Sequence, residues 1–473
     1  MTTGLNFWDN DVWSFIVAIT VLFAGMMVAN SLRNIIKPLR TLMIPSSVLG
    51  GFLILIVGLI YKFATGKPII QTQTLESLTY HGLGLGFVAM TLRKIEKRKD
   101  RKSRTGGFDS GVTIVATYLL QGILGLTVSI TLNRLMGSFA ASGLLLPMGY
   151  GQGPGQAYSW GRTYENLFNF VNGTSFGLTV AAMGFVSASF GGVVYLNLLR
   201  RKGKYSGEIG DFIKDEHLMA DTITGKNEIP LSESMDKFTI QLALVFIAYI
   251  LSFLFMKGID MIIDTGVLGN FGYNTIRPLI WGFNFIFGTI FALLLKAVMS
   301  MLQKKGIVKR EYMNNFLQNR IAGFMFDMMV VASIAAIDLS AFLLPDFIIP
   351  LTLLCVLGGV CTYLYLDYIC KRVFPSYEHE AFLSLYGMLT GTASTGIILL
   401  REYDPKFTTM AADNLVLAQP WAILLGFPML MMLSVAPQSL SKALVSLAIM
   451  SVLFIIMNLI CFRRSLFGKK SKS

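Results

Sequence analysis

Residues 139–160 read FAASGLLLPMGYGQGPGQAYSW, and this stretch decides how the rest of the chain is read. It is apolar enough to enter a membrane, yet four glycines and a proline fall between Gly149 and Gly155. A continuous helix would not tolerate them, since Gly costs about 1 kcal/mol and Pro about 3 kcal/mol in a helix interior. In hydrocarbon the freed backbone groups must be satisfied by protein or by a water-lined cavity. The stretch therefore predicts a re-entrant hairpin, a filter or a binding site at membrane depth.

A second stretch has the same character. Residues 380–400 read EAFLSLYGMLTGTASTGIILL, with a small, hydroxyl-rich centre of Gly387, Thr390, Gly391, Thr392, Ser394, Thr395 and Gly396. Aligning Gly149 with Gly387 superposes Gly153 on Gly391. Both stretches run on to an arginine followed by a tyrosine and an acid: Arg162-Thr-Tyr-Glu and Arg401-Glu-Tyr-Asp.

The surrounding chain is built for a membrane. Of 473 residues, 54% are hydrophobic and 14% charged, against roughly 25% charged in soluble proteins, and the mean hydropathy is +0.61. A helix crossing about 30 Å of hydrocarbon needs roughly 20 apolar residues. By that measure spans are predicted near 13–30, 44–65, 77–92, 111–132, 174–199, 237–256, 278–302, 321–339, 348–369, 411–433 and 440–461. The first does not read as a signal peptide, because acidic Asp9 and Asp11 precede it in place of a basic region. Cys355, Cys361, Cys370 and Cys461 lie in or beside apolar runs with no CxxC pair, so they read as packed thiols.

The net charge of +13 comes from clusters beside the predicted spans. The run Arg93 to Arg104 holds eight basic residues in twelve, and others lie at Arg33/Lys37/Arg40, Arg200/Arg201/Lys202/Lys204, Lys304/Lys305/Lys309/Arg310, Lys371/Arg372 and in the tail Arg463 to Lys472. With the N-terminus outside, every cluster falls on the cytoplasmic side, where it meets anionic lipid. Nucleic acid is not called for as a partner.

This orientation puts both ends of 139–160 outside and both ends of 380–400 inside. The predicted fold is an all-α integral membrane protein of two inverted-topology repeats, each of five spans and one re-entrant hairpin. The repeats cover 1–199 and 237–433, joined by a cytoplasmic loop at 200–236. Residues 434–473 add one extra span and a basic cytoplasmic tail. Paired interrupted segments in two inverted halves point to a secondary transporter with its site at the midplane. No HExxH, GxSxG or GxxxxGK[ST] motif occurs, and no two of the three histidines stand at metal-ligand spacing. Enzyme, ATPase and cofactor chemistry therefore have no carrier, and a channel would want a symmetric filter or charged ring.

At the two hairpins the chain resembles the bacterial sodium/glutamate symporter family, over most of residues 10–433. Ile44-Pro45-Ser46-Ser47-Val48-Leu49-Gly50-Gly51 is similar to the family's Ile-Pro-x-Pro-x-x-Gly-Gly opening of its second span. Gly149-Tyr150-Gly151-Gln152-Gly153 stands where the family has Gly-Gly-His-Gly-Thr, and Ala157-Tyr158-Ser159-Trp160 resembles its Ala-Ala-Trp-Ser stretch. Gly391-Thr392-Ala393-Ser394-Thr395 resembles a Gly-Ala-Thr-Pro-Thr run, matching at Gly391 and Thr395. The family's histidine and motif threonine are absent from the first hairpin, its proline from the second, and the span at 440–461 has no counterpart. The resemblance implies a plasma-membrane homodimer with elevator-like motion, sodium as coupling ion and L-glutamate as substrate. Another small carboxylate or amino acid, coupled to sodium or protons, is the alternative.

A carboxylate that leaves water needs fixed donors, which helix N-termini at a hairpin tip supply. Gly149, Gly151, Gly153 and Gly155 would let backbone approach the ligand. Gln152 and Gln156 add amides, and Ser159, Thr390, Thr392, Ser394 and Thr395 add hydroxyls. Arg162 and Arg401, at the hairpin exits, are candidate carboxylate clamps or water-facing anchors. Asn172, Thr174, Asp413 and Asn414 are candidate sodium ligands that would serve equally as helix caps. Lys296 is expected to snorkel from its span, and Asp327 to pair with Arg320 or line a cavity.

Overall fold

Backbone in hydrocarbon must pair its own polar groups, and a helix does so within one segment. The computed structural model describes residues 6–93, 106–205, 236–308, 310–405 and 407–463. The basic run beyond Arg93, most of the connecting loop, Lys309 and the tail beyond Arg463 lie outside the described residues. The described residues are mostly helical, with no strand among them.

The first half holds α1 (Asn10–Ile35), α2 (Ser46–Thr65), α3 (Thr72–Leu92), α4 (Gly106–Met136), α5 (Pro154–Phe168) and α6 (Gly173–Arg201). The second half holds α7 (Lys237–Asp264), α8 (Asn284–Lys304), α9 (Asn315–Ala335), α10 (Pro345–Val373), α11 (Glu378–Thr390) and α12 (Ala393–Tyr403). It continues through α13 (Ala411–Leu417), α14 (Gln419–Val435) and α15 (Leu440–Cys461). Short turns, left unlabelled, fill several connections.

Among the described residues, nine helices are long and apolar enough to cross a membrane, where eleven spans were expected. The exceptions are α3 and α9, which carry Gln73, Glu76 and His81, and Gln318, Arg320 and Asp327. These two helices pack closely on one another. A Cβ on Gly82 would stand 3.0 Å from the Met325 carbonyl oxygen, and one on Gly86 would stand 2.6 Å from the Phe326 ring. The expected span at 278–302 is interrupted: a short helix, Arg277–Gly282, ends at non-helical Phe283 (φ −110°, ψ 38°) before α8 begins. The expected span at 411–433 is likewise divided at Ala418, between α13 and α14.

The helices sort into two groups by what they pack against. In one, α1 lies on α2, α2 and α3 lie on α9, and α8 bridges α3 and α7. In the other, α4 is the post: α10, α14 and α15 pack against it, while α5 and α11 pack on α6. Each group draws on both halves of the chain. Helices of equal rank also meet, α3 with α9 and α4 with α10. The extra C-terminal helix belongs to the α4 group, where Tyr365 donates to Asn458 Oδ1 at 3.0 Å and Arg463 pairs with Asp109.

Two intramembrane expectations change. Lys296 does not simply snorkel; its ammonium donates to the carbonyls of Thr91, at 3.3 Å, and Arg93. It thereby satisfies acceptors that the end of α3 leaves free. Asp327 stands beside Ser47 at the start of α2, and Arg320 instead lies over the Phe316 ring, 5.2 Å from its centroid.

The tightest approach in the α4 group is backbone to backbone. A Cβ on Gly125 would lie 2.0 Å from the carbonyl oxygen of Gly143. No rotamer change relieves that contact, so Gly125→Ala is expected to push α4 off the first hairpin, at the overpacking cost of about 1–3 kcal/mol. The melting temperature of the purified protein in detergent should fall by several degrees. Gly58→Ala, where nothing lies within 4 Å, should leave it unchanged.

Candidate functional site

Both glycine-rich stretches fold back on themselves. In the first, a 3-10 turn (Ser142–Leu144) and a π-helical turn (Pro147–Gln152) lead to Gly153, and α5 returns. Its ends are closed by rings: Phe139 lies 5.6 Å from Tyr164 and stacks on Phe170 at 4.6 Å. In the second, α11 and α12 pack side by side around a turn at Gly391 and Thr392. A Cβ on Gly396 would meet the Ser384 carbonyl oxygen at 2.3 Å. Small residues thus set how near the limbs come.

The two tips meet. Gly153 adopts φ 88° and ψ −177°, a conformation essentially reserved for glycine. A Cβ there would stand 3.3 Å from Thr392 Cγ2 and 3.8 Å from the Gly391 carbonyl oxygen. Thr392 is the N-cap of α12, its hydroxyl accepting from the Thr395 amide at 3.5 Å and lying 3.3 Å from the Thr395 hydroxyl.

Neighbouring helices hold both tips. Tyr118 on α4 donates to the Gly151 carbonyl at 2.9 Å. One turn on, Gln121 Nε2 donates to the Leu389 carbonyl at 2.8 Å and to Thr362 Oγ1 at 3.0 Å. Tyr150 donates to the Cys355 carbonyl on α10 at 2.7 Å, and its oxygen lies 2.9 Å from Ser187 Oγ on α6. Gly184 on α6 admits the Thr390 carbonyl, which a Cβ would approach to 2.3 Å.

Of the residues singled out in the sequence, Gly151, Gln152, Gly153, Gly391, Thr392 and Thr395 lie at or next to these tips. Gln156 is fully buried and donates to the Gly282 carbonyl at 3.0 Å, at the break before α8. Gly155 packs against Leu83 on α3. Ser159 and Thr390 return their hydroxyl hydrogens to their own helices, at the carbonyls of Gly155 and Tyr386. Ser394 is exposed. The side-chain oxygens of Gln121, Gln152 and Gln156 are buried without a hydrogen-bond partner among the described residues. Buried acceptors of this kind suit a donor ligand or a cation.

The expected sodium ligands occupy two separate neighbourhoods. Asn172 takes the left-handed φ of 59° ahead of α6 but supplies no side-chain cap. Glu165 fills that role, accepting from the Thr174 amide at 2.9 Å. Asn414 instead donates to the Tyr377 hydroxyl at 2.8 Å and abuts Gly106. Asp413 precedes it in α13, whose N-cap is Met410, so neither residue caps the helix. Arg162 lies 3.9 Å from Glu76 and 4.0 Å from Glu165, while Arg401 sits in the last turn of α12.

The sequence reading missed Tyr118, Gln121 and Gly184. Gln121 had a signal, an amide inside an apolar run; Tyr118 and Gly184 had none. It also passed over the base of the second hairpin. There Lys204 donates to His379 Nε2 at 3.2 Å, and His379 Nδ1 lies 2.9 Å from the Tyr195 hydroxyl.

Burial holds the His379 imidazole below its ordinary pKa of 6.5, outweighing the opposing pull of Glu378, and the Lys204 charge adds to the lowering. A lowered histidine pKa means the unfolded chain binds more protons. Its stabilisation is complete above pH 6.5 and is lost as pH falls through the folded-state value. Melting temperature is therefore expected to drop between pH 7.5 and 5.5 in the wild type and to drop less in His379→Gln. At the tip, Tyr118→Phe leaves the Gly151 carbonyl unpaired, a loss of about 1–3 kcal/mol. Faster amide hydrogen exchange across 147–153 is the expected result, with no change in α7.

No protein-family model, curated protein or solved structure matches the chain.

Proposed function

We propose that the chain is a secondary active transporter of the cell membrane, carrying L-glutamate with sodium by an elevator-like motion. The observation that carries this reading is the meeting of two broken helical segments, one from each half, tip to tip at Gly153 and Thr392. The pairing of α3 with α9 and α4 with α10 favours a pseudo-two-fold relation between the halves. The basic clusters favour inverted orientations, with the N-terminus outside and the C-terminus cytoplasmic. Interrupted backbone at such a junction offers amides to an anionic group and carbonyls to a monovalent cation.

In this reading the α4 group, with both hairpins, is the moving body, and the α3–α9 group is the frame on which two copies pair. The substrate carboxylate takes the amide-rich backbone near Gly151 and Gly153 and the hydroxyls of Thr392 and Thr395. Sodium takes oxygens, for which the unpartnered amide oxygens of Gln152 and Gln121 are suited. Energy comes from the ion gradient, and no bond of the substrate is made or broken.

The test is uptake of radiolabelled L-glutamate into tight proteoliposomes with and without an inward sodium gradient. Accumulation that follows the gradient is expected. Thr392→Ala should raise the half-saturating glutamate concentration about tenfold, the equivalent of roughly 1.4 kcal/mol for one hydrogen-bonding group, and Gln152→Ala should raise the half-saturating sodium concentration by a similar factor. If both variants kept wild-type affinity and sodium dependence, the tip would not be the site.

A further inference from the structure

The polar cavity beside the first hairpin narrows the substrate class. It measures about 600 Å3 and is lined by Thr72, Gln73, Glu76 and Ser77 from the start of α3, with Tyr158 and Arg162 from α5. It therefore lies where the α4 group meets the other group of helices. It is a cleft open to solvent, with a volume within the range of small-molecule sites, about 300–1,000 Å3.

The cavity holds opposite charges that do not saturate each other. Arg162 Nη1 is 3.9 Å from Glu76 Oε1 and 4.0 Å from Glu165 Oε1, whereas a charge-assisted hydrogen bond closes to about 2.7–2.9 Å. Among the described residues, no carboxylate grips the guanidinium in the two-pronged geometry it favours. The Glu76 side chain is only 14% exposed, and the Tyr158 hydroxyl donates to its Oε2 at 3.3 Å. One long hydrogen bond and one loose ion pair are what this largely buried carboxylate has in exchange for water.

We infer that this cavity is a capture site for the zwitterionic head of an α-amino acid, with Glu76 receiving the ammonium and Arg162 the carboxylate. Adjacent, loosely paired groups of opposite sign match a ligand whose own charges are adjacent. A dicarboxylate without an amine would find one partner and one repelling wall. The inference rests on the transport reading and selects, among its substrates, those with an α-amine.

The experiment is equilibrium binding to the purified full-length protein, using two pairs of probes: L-glutamate with glutarate, and L-alanine with propionate. In at least one pair the amino acid is expected to bind ten or more times more tightly than its amine-free partner. Glu76→Gln keeps an acceptor for Tyr158 but removes the charge, and should shrink that preference to threefold or less by weakening the amino acid. Arg162→Gln should weaken both members of the pair alike. Amine-free acids that bind as well in both pairs, a preference untouched in Glu76→Gln, or no binding by any probe would each overturn the assignment. Melting temperatures equal to wild type establish that the variants are folded. Gradient-driven uptake is scored separately. Glu76-dependent preference with no accumulation under any gradient would sink the transport reading and leave the site standing.

Discussion

Backbone broken inside apolar surroundings must find its hydrogen-bond partners in the protein, and the α4 group is organised around that requirement. The first hairpin interrupts itself with a π-helical turn and a Gly153 conformation closed to other residues. The second interrupts itself at Gly391 and Thr392. Carbonyls freed near each tip are taken up by side chains of α4, Tyr118 for Gly151 and Gln121 for Leu389. One face of one helix therefore fixes both breaks. The glycines at 125, 143 and 184 follow from this, because Tyr118 and Gln121 reach their acceptors only if the helices stand at backbone contact.

The division into two helix groups has a similar origin. Within the α4 group the helices next to the broken segments are the buried ones, 72% of the apolar stretch of α4 and 67% of that of α6, whereas α15 at its edge is 22% buried. In α1 and α2 the shares are 17% and 22%, so those helices present most of their apolar side chains outward. Where the groups touch at α5, contacts are a mixture of apolar and polar, Leu83 on Gly155, Gln156 on the Gly282 carbonyl, Tyr158 on Glu76.

The breaks were legible in the sequence because their causes are local. Gly149 to Gly155, and the small residues around Gly391, forbid a continuous helix whatever surrounds them. Nine of the eleven expected spans were legible from apolar runs, while α3 and α9 are more polar than the helices that qualify as spans. The holders of the tips were not legible: Gln121 and Leu389 are 268 positions apart, and Tyr118 looks like any tyrosine in a span. Asn172, Asp413 and Asn414 misled for the opposite reason. Their local chemistry is that of caps, but Glu165 caps α6 from nine residues away and Tyr377 engages Asn414.

The position of α15 has a consequence for how the molecule can be watched. This last helix lies along α4, with Met450 close against Gly122, whereas α1 lies on α2 in the other group. The two ends of the described chain are thus fastened to different bodies. Under the proposed elevator motion, sliding of one group past the other would alter the separation of the termini, so a pair of fluorophores at the chain ends would test for it and leave every residue of the interior untouched.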